Sequence, residues 1–84
     1  MIQDVIDILE TKGWVQYKLE CPEGHCLFGA IAAANPDGDS SEDIVKIRRA
    51  LFKKYNTTDI TSWNDTHGRR KHEVIALLQS ASSP

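Results

Sequence analysis

Apolar and polar positions divide the chain into segments of different period. Ile2, Val5, Ile6 and Leu9 stand at i, i+3, i+4 and i+7 and form one apolar stripe, with Asp4, Asp7 and Glu10 off it. Lys12 and Gly13 add a cationic last turn and a glycine stop, so the pattern predicts a first helix over about residues 2–12. The period then shortens. Val15, Tyr17 and Leu19 alternate with Gln16 and Lys18, and with Trp14 they fit a short extended segment at residues 14–19, either an unpaired stretch or a short strand, the alternation leaving room for one packed face. Pro22 and Gly24 end it in a turn. Residues 26–34, CLFGAIAAA, are apolar almost all round, and their small side chains allow close approach. Such a helix is expected at the centre of the fold.

The polar run Asn35-Pro36-Asp37-Gly38-Asp39 is a loop, after which Ser40 or Ser41 is placed to cap a third helix. Glu42 and Asp43 fall in its first turn, where the helix dipole favours acids. Ile44, Ile47, Leu51 and Tyr55 make its inward stripe, and Lys46, Arg49 and Lys53 lie opposite. The connection NTTDITSWNDTHG is polar except for Ile60 and Trp63, which are read as anchors to the core, a single helical turn being one way to seat them. Val74, Leu77, Leu78 and Ala81 are the stripe of a last helix from about Arg70 to Ser80, and the closing SASSP (residues 80–84) reads as a frayed tail. The expectation is a mainly α fold: a compact four-helix domain around a short central helix, with a short extended segment at 14–19, all within one domain spanning residues 1–84.

Charge and composition narrow the function classes. A net charge of −2 argues against a general affinity for nucleic acid or acidic membranes. The first ten residues carry acids where a signal peptide needs a basic segment, and no apolar run approaches the ~20 residues that span a bilayer. A cytoplasmic location with no membrane partner is therefore expected. In a reducing compartment the two cysteines, Cys21 and Cys26, remain thiols or bind metal. A disulfide between them requires a turn that brings their Cα atoms within ~7 Å.

Gly13-Trp14 with Gln16, Cys26-Leu27, Gly29-Ala30-Ile31, Trp63-Asn64-Asp65, Gly68-Arg69 and Glu73-Val74 with Leu77-Leu78 occur in that order. This series resembles a family of small uncharacterised bacterial and phage proteins with the pattern GW-x-Q … C-L-x-G-A … W-N-D … G-R-x₃-E-V-x₂-L-L. The resemblance covers about Ile6 to Ala81 and implies a compact, mostly helical domain without a known activity. Where this family often has threonine after Gly-Arg, this chain has Arg70, which leaves Asp65 or Thr66 to cap the last helix.

Four kinds of chemistry are open to these residues. A cysteine at a helix N-terminus gains thiolate character from the dipole, and Cys26 stands at such a place. Residues 23–31 also resemble the nucleophile motif of ovarian-tumour-type cysteine proteases, D-G-N-C-L-F-x-A-I, with Glu23 and His25 replacing the aspartate and asparagine. That resemblance would make Cys26 the nucleophile and His67 or His72 its base. Against it, those protease domains are longer and carry a sheet with a substrate cleft, and a thiol among apolar residues is inert. Burial of Cys26 for packing is the reading adopted. For metal, Cys21, His25, Cys26, His67 and His72 offer ligands at zinc-compatible spacings, but adjacent His25 and Cys26 diverge if helical, and no metal or other cofactor is expected.

Nucleic acid is the third option. Lys46, Arg48, Arg49, Lys53, Lys54, Arg69, Arg70 and Lys71 form a basic face if the third helix and the Gly68 turn lie side by side, although no groove-reading motif is present. Fourth, Trp63-Asn64-Asp65 serves either as an exposed recognition loop or, in the favoured reading, as structure, with Trp63 in the core and the two short polar side chains bonding nearby N–H groups to start the last helix. Lacking a convergent acid/base set, the chain reads as a non-enzymatic interaction or regulatory module for another protein. Its expected contact residues are Lys46, Arg49, Lys53, Trp63, Asn64, Asp65, Arg69 and Arg70. A nucleic-acid-binding domain and a cysteine hydrolase are the rivals.

Overall fold

In a computed structural model that describes residues 1–82, the fold is mainly α. Five helices, α1 (Ile2–Lys12), α2 (Leu27–Ala34), α3 (Ser41–Tyr55), α4 (Ile60–Asn64) and α5 (Lys71–Ser82), accompany a two-stranded ribbon, β1 (Glu20–Cys21) and β2 (Gly24–His25). The ribbon is antiparallel, pairing Glu20 with His25 and Cys21 with Gly24. Helix α1 lies against α2 and α5, α5 also against α3, and α2 against α4.

The four stripes meet as their periodicity requires. Val5, Leu9, Leu27, Ile31, Ile47, Leu51, Val74, Leu77 and Leu78 are at most 1% exposed and form one continuous core with Ile60 and Trp63. Burial of this size is what holds a small helical chain together, since short helices are marginal alone. The fifth helix, α4, is the single turn that seats Ile60 and Trp63. Asp59 caps it, its carboxylate accepting from Ser62 N at 3.0 Å.

One open question is answered and three expectations are corrected. The segment 14–19 is not a strand with a packed face: only Trp14 makes a bridge, parallel to His25, while Tyr17 and Leu19 are exposed and the paired strand is Glu20–Cys21. Tyr17 takes a left-handed φ of 70°, which breaks the alternation. Helix α2 is covered on one side only; Phe28, Ala32 and Ala33 face outward. The third helix begins after Ser40, but neither serine side chain caps it. The Asp39 carboxylate accepts from Ser41 N at 3.1 Å instead. The last helix continues to Ser82 with Ala81 buried, so residues 80–82 belong to it, and the tail expectation for residues 83–84 lies outside the described residues.

Asp43, expected to serve the helix dipole, is buried at 5% exposure. It accepts from Asn35 Nδ2 at 3.0 Å and pairs with the Met1 ammonium at 3.3 Å. Asn35 also donates to Ile31 O at 2.8 Å. One carboxylate thus ties together the start of α1, the end of α2 and the start of α3.

Candidate functional site: a polar knot and an outer helix face

The residues singled out by motif fall into two groups, one turned inward and one outward. The inward group is centred on Asn64, the last residue of α4, which is completely buried. Its Oδ1 accepts from Trp14 Nε1 at 2.6 Å and from Leu27 N at 3.0 Å. Its Nδ2 donates to Val15 O at 3.2 Å and to Asp65 Oδ1 at 3.0 Å. Gln16 adds bonds from Nε2 to Asn64 O (3.0 Å) and Thr66 O (2.8 Å), and Tyr17 N donates to Asp65 Oδ1 at 2.9 Å. The loop after α1 has few ladder bonds of its own, and this knot satisfies its backbone and its indole. Asn64 and Asp65 therefore hold distant segments and do not start the last helix.

Cys26 sits at the opening of α2, 2% exposed. Its Sγ accepts from Gly29 N at 3.3 Å, the N-cap bond normally made by serine or aspartate. Leu19 O receives Cys26 N at 3.2 Å, and the same carbonyl lies where a Cβ on Gly29 would stand. The glycine is what lets the loop close over the helix start. A second close approach brings Gly13 (φ 99°) against Gly24 (φ 146°), with His25 N donating to Gly13 O at 3.0 Å.

Around Trp63, Arg69 supplies two contacts at once. Its Nε donates to Trp63 O at 3.0 Å, and its guanidinium stacks 4.2 Å from the Trp63 ring and 5.1 Å from that of Tyr55. Its Nη1 reaches Glu73 Oε2 at 3.5 Å. The other carboxylate oxygen of Glu73 accepts from Arg70 N at 2.8 Å, so Glu73 caps the start of α5. Neither Asp65 nor Thr66 does this, being bonded to Tyr17 N and to Ser62 O. The Arg70 N–H, followed by the Arg69 and His72 charges, holds the Glu73 carboxyl below its ordinary value.

The candidate ligands and bases are dispersed. Cys21 and Cys26 are free thiols. The exposed Glu23 carboxylate is held below its ordinary value, chiefly by the neighbouring Cys21 thiol. His25 is half-buried with its Nδ1 enclosed and unpartnered. His67 and His72 are exposed, one in the α4–α5 turn and the other on α5. Neither is a hydrogen-bond partner of Cys26. Among the described residues no three His, Cys, Asp or Glu side chains gather as a group able to hold a metal ion.

The expected contact set divides in the same way. Trp63 (3% exposed) and Asn64 (0%) cannot line a surface, and Asp65 and Arg69 are tied up in the knot and the ring stack. Trp63 and Asn64 are therefore buried, while Asp65 and Arg69 are half-buried and already engaged. Lys46, Arg49, Lys53 and Arg70 are exposed. The eight clustered cations do not make one face. Lys71 turns to Glu10 of α1 at 3.3 Å, Lys46 to Glu42 at 3.2 Å, Lys54 to the Tyr55 ring, and Arg69 inward. Lys46, Arg49 and Lys53 border the C-terminal end of α5, whose carbonyls favour cations.

Sequence reasoning missed the outward group. Val45 (47% exposed) and Phe52 (57%) share one face of α3 with Arg48 and Arg49, and with Thr58 they border a shallow groove whose lining is almost wholly apolar. The signal was present: Val45, Arg48, Arg49 and Phe52 stand at i, i+3, i+4 and i+7, a second stripe beside the core one. Among the described residues Arg49 and Lys53 form no ion pair, and Arg48 has only its attraction for Asp59.

No helix among the described residues is long and apolar enough to cross a membrane. A family model described as a family of unknown function (DUF6197) matches residues 1–83. Neither the comparison with curated proteins nor that with solved structures finds a match.

Proposed function

The chain belongs to that family of unknown function, and on this premise we propose that it works as a small non-enzymatic protein-binding module whose contact surface is the outer face of α3. The observation that carries the reading is the division of labour above. The motif residues Trp14, Gln16, Cys26, Asn64, Arg69 and Glu73 are spent on internal bonds. Meanwhile α3 turns Val45 and Phe52 outward beside Arg48 and Arg49, the latter without an ion pair among the described residues. Exposed apolar groups rimmed by charge mark contact surfaces, and aromatic and arginine side chains carry much of their energy. The resemblance to small bacterial and phage proteins supports a host protein as the partner.

The test is affinity capture from the host's lysate with the wild-type chain and with Phe52→Ala/Arg49→Glu, whose thermal melting should match wild type because both side chains are exposed. The expected result is one protein captured by wild type and lost from the variant. A partner retained equally by the variant would move the surface elsewhere. A hydrolytic activity abolished by Cys26→Ala would make the chain an enzyme.

A further inference from the structure

We propose that the α3 groove accepts an acidic amphipathic segment of a partner protein, one large apolar side chain seated between Val45 and Phe52 and carboxylates flanking it against Arg48, Arg49 and Lys53. The inference rests on the protein-binding reading above and adds the chemistry of the partner.

Three observations combine. First, the groove bordered by Val45, Arg48, Arg49, Phe52 and Thr58 is almost wholly apolar, so its floor offers an incoming chain no polar partner and selects an apolar anchor. Second, its rim is cationic: Arg48 and Arg49 border the groove, and Lys53 follows Phe52 on the same helix. Arg49 and Lys53 have no carboxylate within ion-pair distance among the described residues. This happens in a chain whose net charge is −2, so acids are not scarce. A partner bringing carboxylates supplies the missing half of these pairs, and charge complementarity of this kind sets partner choice and encounter rate. Third, the face belongs to the middle of the longest helix, whose inner side is pinned by Ile47 and Leu51 at 0% exposure. Val45 and Phe52, seven positions apart on one rigid face, fix the spacing of the contact before binding, which reduces the ordering cost.

The same cations would attract a phosphate backbone, but a nucleic acid leaves the aliphatic side of the groove, Val45 and the arginine stems, without a matching surface. Carboxylates on an apolar scaffold use both features.

The experiment selects a random peptide library displayed on phage against the immobilised full chain. The selected peptides are then measured by fluorescence anisotropy against wild type, Phe52→Ala and Arg49→Glu, at low and high salt. The expected peptides are enriched in Asp and Glu around a Leu, Phe or Trp anchor. They bind wild type with an affinity that falls as salt rises, and lose at least about tenfold with either variant, the cost of about 1.4 kcal/mol. Glutamine in place of their acids should weaken them similarly. Selected peptides that are neutral or basic, or that bind both variants as well as wild type, would overturn the proposal, as would a selection that enriches nothing. So would tighter binding of a 20-nucleotide single strand through the same two residues, or a self-association abolished by Phe52→Ala. Failure here with a face-dependent protein still captured from lysate would sink only the acidic chemistry. Failure of both would sink the module.

Discussion

Trp14 and Asn64, 50 positions apart in the chain, are joined by a 2.6 Å hydrogen bond from the indole Nε1 to the amide Oδ1. The same oxygen takes Leu27 N at 3.0 Å, and the amide nitrogen donates to Val15 O. One buried side chain therefore serves the loop after α1 and the start of α2 together. Asn64→Ala leaves two donors and a carbonyl unanswered, at about 1–3 kcal/mol for each group that stays buried. The expected outcome is a loss of several kcal/mol out of the ~5–15 that such domains possess, seen as a lower urea midpoint. Asn64→Asp should not rescue it at neutral pH, because Nδ2, which donates to Asp65 at 3.0 Å, becomes a carboxylate oxygen facing another. Acidification should narrow the gap between this variant and wild type.

Cys26 is predicted to be silent toward iodoacetamide in the folded chain and to react only on unfolding, whereas half-exposed Cys21 reacts at once. Mass spectrometry of the labelled sites reads both. Cys26→Ser keeps an acceptor for Gly29 N, and Cys26→Ala removes it, so the alanine variant should be the less stable by about 1 kcal/mol. Equal labelling rates for the two thiols would show that the α2 start is open.

Gly29→Ala should destabilise although alanine is the better helix former by about 1 kcal/mol. The added methyl would collide with Leu19 O, a backbone carbonyl that also receives Cys26 N and cannot easily withdraw. A cost of about 1–3 kcal/mol is expected from overpacking of this kind. Ala33→Gly, on the exposed side of the same helix, isolates the propensity effect for comparison.

Glu73 and Asp59 predict the acid limb of stability. The Arg70 N–H holds the Glu73 carboxyl below its ordinary 4.5, and the Ser62 N–H holds that of Asp59 below 3.8. Both folded values are depressed, so their stabilisation is complete above the ordinary values and is lost as pH falls through the folded ones. Urea midpoints should decline as pH drops below 4.5. Glu73→Gln should be less stable than wild type at pH 7, with the difference shrinking at pH 3. A difference independent of pH would mean that the charge of Glu73 is idle.

Arg69→Lys retains a cation but loses the planar group that lies 4.2 Å from the Trp63 ring and the Nε–H that reaches Trp63 O. The two residues are not equivalent at a stacked site. A loss of about 1–2 kcal/mol is expected, the sum of one hydrogen bond and the stack. Indole fluorescence should change with it. Arg70→Lys, exposed, should have no effect on either measurement.

Periodicity alone located α1, α2, α3 and α5 to within two residues at nearly every end, and the burial of Cys26 followed from its apolar neighbours. Apolar spacing is local information, and a helix of 3.6 residues per turn turns it directly into a face. Gly13, too, could be read as a stop from its position. The roles of polar residues could not be read in this way. Asp43 looked like any acid in a first turn, and Asn64 like a residue that starts a helix. Each is instead a buried centre whose partners, Asn35 and Met1 in one case and Trp14, Val15 and Leu27 in the other, come from other elements. The alternation at residues 14–19 misled for the same reason. Hydrogen bonds with Asn64 and Asp65 shape that loop more than its own strand tendency does.

The stripes by themselves determined which helices form and which residues make the core, because hydrophobic burial is non-directional and needs only the right faces. Tertiary structure decided which polar side chains are consumed inside and which cations find a carboxylate, because a hydrogen bond or ion pair is directional and short. Its existence depends on where the rest of the chain brings the partner.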